Sequence, residues 1–134
     1  MAPNDAPPRH FFGPLLLARE FELTLSFYRG ALRLPFEGSR PYAKCVSAHS
    51  TFSIVDRKWW AEVCGSDNPI QGESSVADTV LMIQVDDVDQ AFRELVGSGT
   101  NVLSPPTPRR LLGIRTLFLR DPDGRCVALS SPMR

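Results

Sequence analysis

Apolar residues recur along this chain in two rhythms, and the pair of rhythms occurs twice in the same order. From Phe11 to Ala18 the run FFGPLLLA predicts a mostly buried strand. Pro14 has no amide hydrogen to give to a ladder, which predicts an edge position or a bulge there. A helix is expected from about Glu20 to Ala31, because Phe21, Leu25, Tyr28 and Leu32 recur at spacings of four, three and four and share one face. Short β-like stretches follow at Leu34–Phe36, Tyr42–Ala48 and Thr51–Val55, separated by Gly38–Ser39 and His49–Ser50. Asp56 is placed to cap a short helix, Arg57–Cys64, that carries Trp59 and Trp60.

The stretch Gly65–Asp78 is polar and poor in large apolar side chains, a linker by composition. After it the plan restarts. Thr79–Val85 predicts a strand and Asp87–Val96 a helix with Val88, Phe92 and Leu95 on one face, ended by Gly97 and Gly99. Asn101–Ser104 reads as a short strand and PPTPRRLLG as a loop. Ile114–Arg120 and Cys126–Ser130 are strands joined by Asp121-Pro122-Asp123-Gly124, a type I turn followed by a left-handed residue. Each half therefore reads β-α-β-β-β. Superposing Glu20 on Asp87, an offset of 67, also sets Phe21 on Val88, Leu25 on Phe92 and Tyr28 on Leu95. The expected architecture is α+β: a lead-in at 1–10, a first βαβββ module at 11–64, the linker at 65–78 and a second module at 79–134.

Composition narrows the function classes. At roughly 100–200 residues per domain, 134 residues make one domain. Hydrophobic residues at 43% and charged residues at 22% fit a globular chain. No run approaches the roughly 18 apolar residues of a membrane span. Pro14–Ala18 is too short for a signal-peptide core, so a cytoplasmic protein with no membrane partner is expected. Fifteen basic residues balance fifteen acidic ones, leaving no global attraction to nucleic acid. Arg109, Arg110, Arg115, Arg120 and Arg125 do concentrate charge near the last hairpin, but no aromatic interleaving accompanies them. Cys45, Cys64 and Cys126 are an odd number without CxxC spacing and read as reduced thiols.

The segments LAREFELTLSFYRGALRLPF and VDDVDQAFRELVGSGTNVLSPP, followed by RDPDGRCVALSSP, resemble the glyoxalase/bleomycin-resistance/dioxygenase superfamily, also called vicinal oxygen chelate. The resemblance covers about residues 11 to 132. It implies two βαβββ modules whose sheets curl into an open cup, in a homodimer. The scaffold hosts isomerases, lyases, dioxygenases and metal-free binding proteins alike, so it does not name the function.

The resemblance also implies where a metal belongs: one His, Gln or Glu in the first strand and one in the last strand of each module. Those positions here are Gly13, Ser53, Val80 and Ala128. Three have no ligating atom and serine alone is a poor donor, so no metal or other cofactor is expected. Residues sharing a face with these positions are candidates to line the cup: Leu15, Leu17, Thr51, Val55, Met82, Gln84, Cys126 and Ser130. Phe36, Tyr42, Trp59 and Trp60 are candidate stacking walls for a flat ligand, and His49, a turn residue, is a further candidate to touch one.

The expected function is a metal-free protein that sequesters an aromatic or amphipathic natural product, in the manner of antibiotic resistance, through Phe36, Tyr42, His49, Ser53, Trp59, Trp60, Met82, Gln84 and Cys126. The alternatives are an enzyme of the same superfamily with a relocated or non-metal active site, and a non-catalytic structural or regulatory subunit whose cup is filled.

Overall fold

The computed structural model describes residues 7, 13–47, 50–65 and 79–133. Within them the duplication is realised strand for strand. Strand β1 (Leu15–Ala18) leads into helix α1 (Phe21–Ser26), and β2 (Glu37–Ser39), β3 (Tyr42–Ser47) and β4 (Ser50–Asp56) complete a sheet ordered β1-β4-β3-β2. Helix α2 (Arg57–Cys64) ends the first half. Strand β5 (Val80–Gln84), helix α3 (Val88–Gly97), β6 (Val102–Arg109), β7 (Ile114–Arg120) and β8 (Cys126–Pro132) build the second sheet, ordered β5-β8-β7-β6. In each sheet the first strand runs parallel to the last and the other pairs are antiparallel. The registers match as well. Leu15 faces Ser53 and Met82 faces Ala128, and Leu15 and Met82 are related by the same offset of 67 that relates the helices.

Local chemistry explains where the elements depart from expectation. Strand β1 takes the sheet edge that Pro14 demands, and the Pro14 carbonyl accepts from Ser53 N at 3.0 Å. Phe11 and Phe12 lie outside the described residues, as do His10, His49 and linker residues 66–78. The first helix is not uniform: Phe27–Ala31 widens into a π turn, with Leu32 N donating to Phe27 O at 3.0 Å. The strand expected at Leu34–Phe36 lies instead at Glu37–Ser39, because Phe36 turns into the core and packs against Tyr28 and Phe52. The expected loop at PPTPRRLLG is mostly strand β6. Its prolines are tolerated because β6 is an edge strand, with irregular register between Val102 and Ser104 and between Ser104 and Thr107. Asp56 and Asp87 both cap as expected: Asp56 Oδ1 accepts from Lys58 N, and Asp87 Oδ1 from Asp89 N and Gln90 N.

Alternation gives each sheet an inner and an outer face. Leu16, Ala18, Ala43, Cys45 and Ile54 of the first sheet and Leu117, Leu119, Val127 and Leu129 of the second enter a single core with Phe21, Leu25 and Tyr28 of the first helical segment and Val88 and Leu95 of α3. Burial pushes the Cys45 thiol pKa up, which makes it a core filler of low reactivity.

At the seam between the halves sits a polar network. The buried Asp121 carboxylate accepts from Tyr28 Oη at 2.7 Å, Asp123 N at 2.9 Å, Arg125 N at 2.8 Å and Arg125 Nη1 at 3.0 Å. Arg125 Nη2 reaches back to the Leu17 carbonyl at 2.6 Å, and Arg19 N donates to Asp123 Oδ2 at 3.2 Å. Burial, then the adjacent carboxylate, push the Tyr28 hydroxyl far above its ordinary pKa of 10.0.

The Tyr28→Phe variant is expected to lose about 1.5–3 kcal/mol, the range for a hydrogen bond to a charged group. Urea unfolding at neutral pH checks this as a lower midpoint with unchanged slope. The same pair of proteins carries a pH signature. A tyrosine whose folded pKa is raised contributes its full stability below the unfolded value near 10 and loses it as pH climbs above that, by up to about 1.4 kcal/mol per pH unit. Between pH 9 and about 11 the wild type is therefore expected to lose stability more steeply than Tyr28→Phe; parallel losses would remove Tyr28 from the account.

Candidate functional site

The outer faces of the two sheets are the surfaces left for chemistry. On the first, Tyr42 and Ser53 come together, with Tyr42 Oη 3.2 Å from Ser53 Oγ. Leu15 lies beside Ser53 on β1, and Lys44 beside it on β3. On the second, Val80, Met82 and Gln84 of β5 run alongside Cys126, Ala128 and Ser130 of β8, and Thr116 and Phe118 of β7 lie beyond them. Three of the expected residues, Met82, Gln84 and Cys126, thus share the second face, while Tyr42 and Ser53 share the first. Both floors contain small buried residues, Ser53 in one and Ala128 in the other, at equivalent positions of the duplicated plan.

The remaining expected site residues lie elsewhere. Phe36 is a core residue on the inner side, in edge contact with Phe52 at 5.2 Å between ring centroids. His49 lies outside the described residues. Trp59, half-exposed on α2, lines a cleft of about 390 Å³ with Arg40, Pro41, Asp56, Lys58 and Glu62. Trp60 is the more buried of the two tryptophans. A groove of about 520 Å³ runs between the Gly30–Leu34 stretch and α3. It is crossed by the exposed Arg33–Glu94 ion pair at 3.3 Å and belongs to the seam between modules rather than to either floor.

The four positions that would hold a divalent metal do not fit one. At Gly13 the backbone φ is +143°, and a Cβ there would stand 1.6 Å from the Thr51 carbonyl oxygen. No side chain of any kind can be built at that position without moving β4. Val80 and Ala128 carry no donor atom, and the Ser53 hydroxyl is engaged with Tyr42. Among the described residues no group of three His, Cys, Asp or Glu side chains is placed to hold a metal ion.

The structure brings residues to this face that were not among the expected ones. Arg109 lies on the second outer face, its guanidinium carbon 5.2 Å from the Phe118 ring centroid and its Nε donating to Thr116 Oγ1 at 2.9 Å. Phe118 and Thr116 were readable in principle, because the Asp-Pro-Asp-Gly turn sets the register that places them opposite Ala128 and Ser130. Arg109 was not, since its place depends on the irregular register of β6.

Comparison with known proteins agrees with this geometry. Among curated proteins, the chain is 26% identical over 118 residues to the uncharacterized protein YraH of Bacillus subtilis (strain 168), covering 85% of this chain and 91% of that one. A protein of unknown function from Agrobacterium tumefaciens superposes with a TM-score of 0.76 at 22% identity, over 96% of this chain and 98% of that one. A glyoxalase/bleomycin resistance protein/dioxygenase from Nocardioides gives 0.74 at 16% identity, over 96% and 87%. A lactoylglutathione lyase from Agrobacterium tumefaciens gives 0.68 at 20% identity, over 94% and 96%. At these identities the structural likenesses establish the fold alone. The sequence profile of one family matches residues 10–129, nearly the whole chain, and on this duplicated βαβββ scaffold it makes the chain a member of the glyoxalase/bleomycin resistance protein/dioxygenase superfamily.

Proposed function

We propose that this protein captures a small aromatic or amphipathic molecule, of the natural-product antibiotic type, on the outer sheet faces and without making or breaking a bond. The observation that carries the reading is Gly13: the first of the family's metal positions is closed to any side chain by the Thr51 carbonyl. The other three lack a free donor. What is left is a floor of small residues with apolar neighbours and a few hydrogen-bonding groups, the composition of a small-molecule site. Affinity then comes from burying the ligand's apolar face, with polar groups fixing its orientation.

The reading includes a homodimer. Leu15, Val80 and Met82 stay exposed on the outer faces of the single chain, and a second copy set against them supplies the wall that one chain lacks. It also places capture in the cytoplasm. No helix among the described residues is long and apolar enough to cross a membrane.

Two measurements check this reading. After incubation with nickel, zinc, manganese and iron(II) followed by dialysis, elemental analysis is expected to find less than about a tenth of an equivalent of each, since tight sites need several preformed ligands. A full equivalent of any one metal would restore the enzyme with a relocated site. Separately, Gly13→Ala is expected to cost more than about 3 kcal/mol, from backbone strain and overpacking together. Gly97→Ala is the control: its Cβ meets nothing within 4 Å, and in a helix it is expected to be neutral or stabilising by up to about 1 kcal/mol. A Gly13→Ala protein as stable as wild type in thermal unfolding would show the position to be open and return the metal site to consideration.

A further inference from the structure

Five arginines lie between positions 109 and 125, and their partners distinguish Arg109 from Arg115, Arg120 and Arg125. Arg115 grips Asp89 through Nε and Nη2, each at 2.9 Å. Arg125 is held by Asp121, Asp123 and the Leu17 carbonyl, and Arg120 donates to the Gly124 carbonyl. Arg109 has no carboxylate partner among the described residues. Instead it lies half-buried over Phe118, held by the Thr116 hydroxyl through Nε.

That arrangement fixes which edge of the guanidinium is left. With one face on an aromatic ring and Nε committed, Nη1 and Nη2 remain as a parallel pair of donors, the fork that matches one carboxylate in bidentate geometry. A cation partly withdrawn from water without a counter-ion is unfavourable until something anionic meets it.

The floor beside it has unmet polar capacity as well. Ser130 is only 5% exposed and its Oγ has no hydrogen-bond partner, and the buried Ser104 Oγ has none either. Both belong to this face: Ser130 stands opposite Thr116, and Ser104 opposite Phe118. Such orphaned hydroxyls are rare in native proteins and call for an explanation.

The other end of the floor is apolar. Phe118, Ala128 and Met82 form one row across three adjacent strands, about 10 Å from end to end at the usual strand spacing. Ala128 is fully buried at its centre, and Met82 is 57% exposed at its end. The row is therefore polarised, with a cation over Phe118 and hydroxyls on one side and the exposed Met82 side chain on the other.

We propose that Arg109 is the carboxylate-binding residue of this face, and that the captured molecule is a planar aromatic carboxylic acid whose ring reaches the exposed Met82 side chain. This deepens, and rests on, the reading of the outer face as a small-molecule floor.

The test uses the full chain with 2-naphthoate as probe and 2-naphthamide as its neutral isostere. Binding is followed by NMR at the Met82 methyl and the Arg109 Nε–H. Naphthoate is expected to shift both signals saturably, and the amide to bind at least about tenfold more weakly, the loss of one charge-assisted pair. Arg109→Gln is expected to lose about the same factor, whereas Arg110→Gln, the same change of charge one residue away, leaves affinity unaltered. Arg109→Lys keeps the charge and the fold but not the fork, and is expected to fall between.

Equal binding of acid and amide, or naphthoate binding unaffected by Arg109→Gln, overturns the proposal while leaving capture of a neutral molecule intact. Absence of binding by either probe, with Arg109→Gln weakening the fold or dissociating subunits, makes Arg109 a structural brace or the partner of a carboxylate on a second copy. That result overturns the proposal too. Failure of the capture reading itself shows separately, as a stoichiometric metal.

Discussion

An unpaired carboxylate inside a protein costs several kcal/mol, so the donors around Asp121 are a constraint on the whole chain. They come from both halves: the hydroxyl of Tyr28 from the first module, and two backbone amides and a guanidinium from the second module's own turn. Arg125, fixed by Asp121, then reaches the carbonyl of Leu17 in β1. The two sheets cannot slide past one another without stranding a buried charge. The shared core of leucines, valines and aromatics attracts the halves without direction; the hydrogen bonds select one relative placement, because their geometry is narrow.

This arrangement explains why the chain's most recognisable residues are silent about chemistry. Tyr28 belongs to the LAREFELTLSFYRGALRLPF segment and Asp121 to the RDPDGRCVALSSP segment, 93 residues apart, and they bond to each other. Both segments are used up in joining modules and setting a turn. They specify a scaffold, and a scaffold is compatible with many activities. The information about function lies on the outer faces, where neither the core nor the seam dictates which residue is present. There Gly13 is an exception of a telling kind. The approach of Thr51 excludes every side chain at one of the positions where the resemblance implies a metal-ligating side chain.

The outer faces also differ between the halves, although the plan is duplicated. On the first, the tyrosine hydroxyl meets the floor serine, and the polar groups satisfy each other. On the second, an arginine lies over a phenylalanine while two serines lack partners. Duplication conserves what the sheet needs to close and leaves the outer rows free to diverge, and the second face is the one with unspent hydrogen-bonding capacity.

Much of the fold was legible in the order of residues. The 3.6-residue rhythm of Phe21, Leu25 and Tyr28, its echo 67 residues later, the capping aspartates and the Asp-Pro-Asp-Gly turn are each local signals, and local signals survive without tertiary context. Pro14 announced its edge. The errors fell where a distant partner decides the outcome: Phe36 left its strand for Tyr28 and Phe52, and the prolines after Ser104 joined a strand because that strand is at an edge. Sequence alone determined the two modules, the family and which residues stand at the positions where the resemblance implies a metal, since these depend on residue identity and short spacing. Only the tertiary structure decided that Gly13 is sealed rather than merely vacant, that Phe36 is core, and that Arg109 rests on Phe118. Those outcomes depend on which backbone from elsewhere in the chain comes within a few ångströms, and no local pattern encodes that.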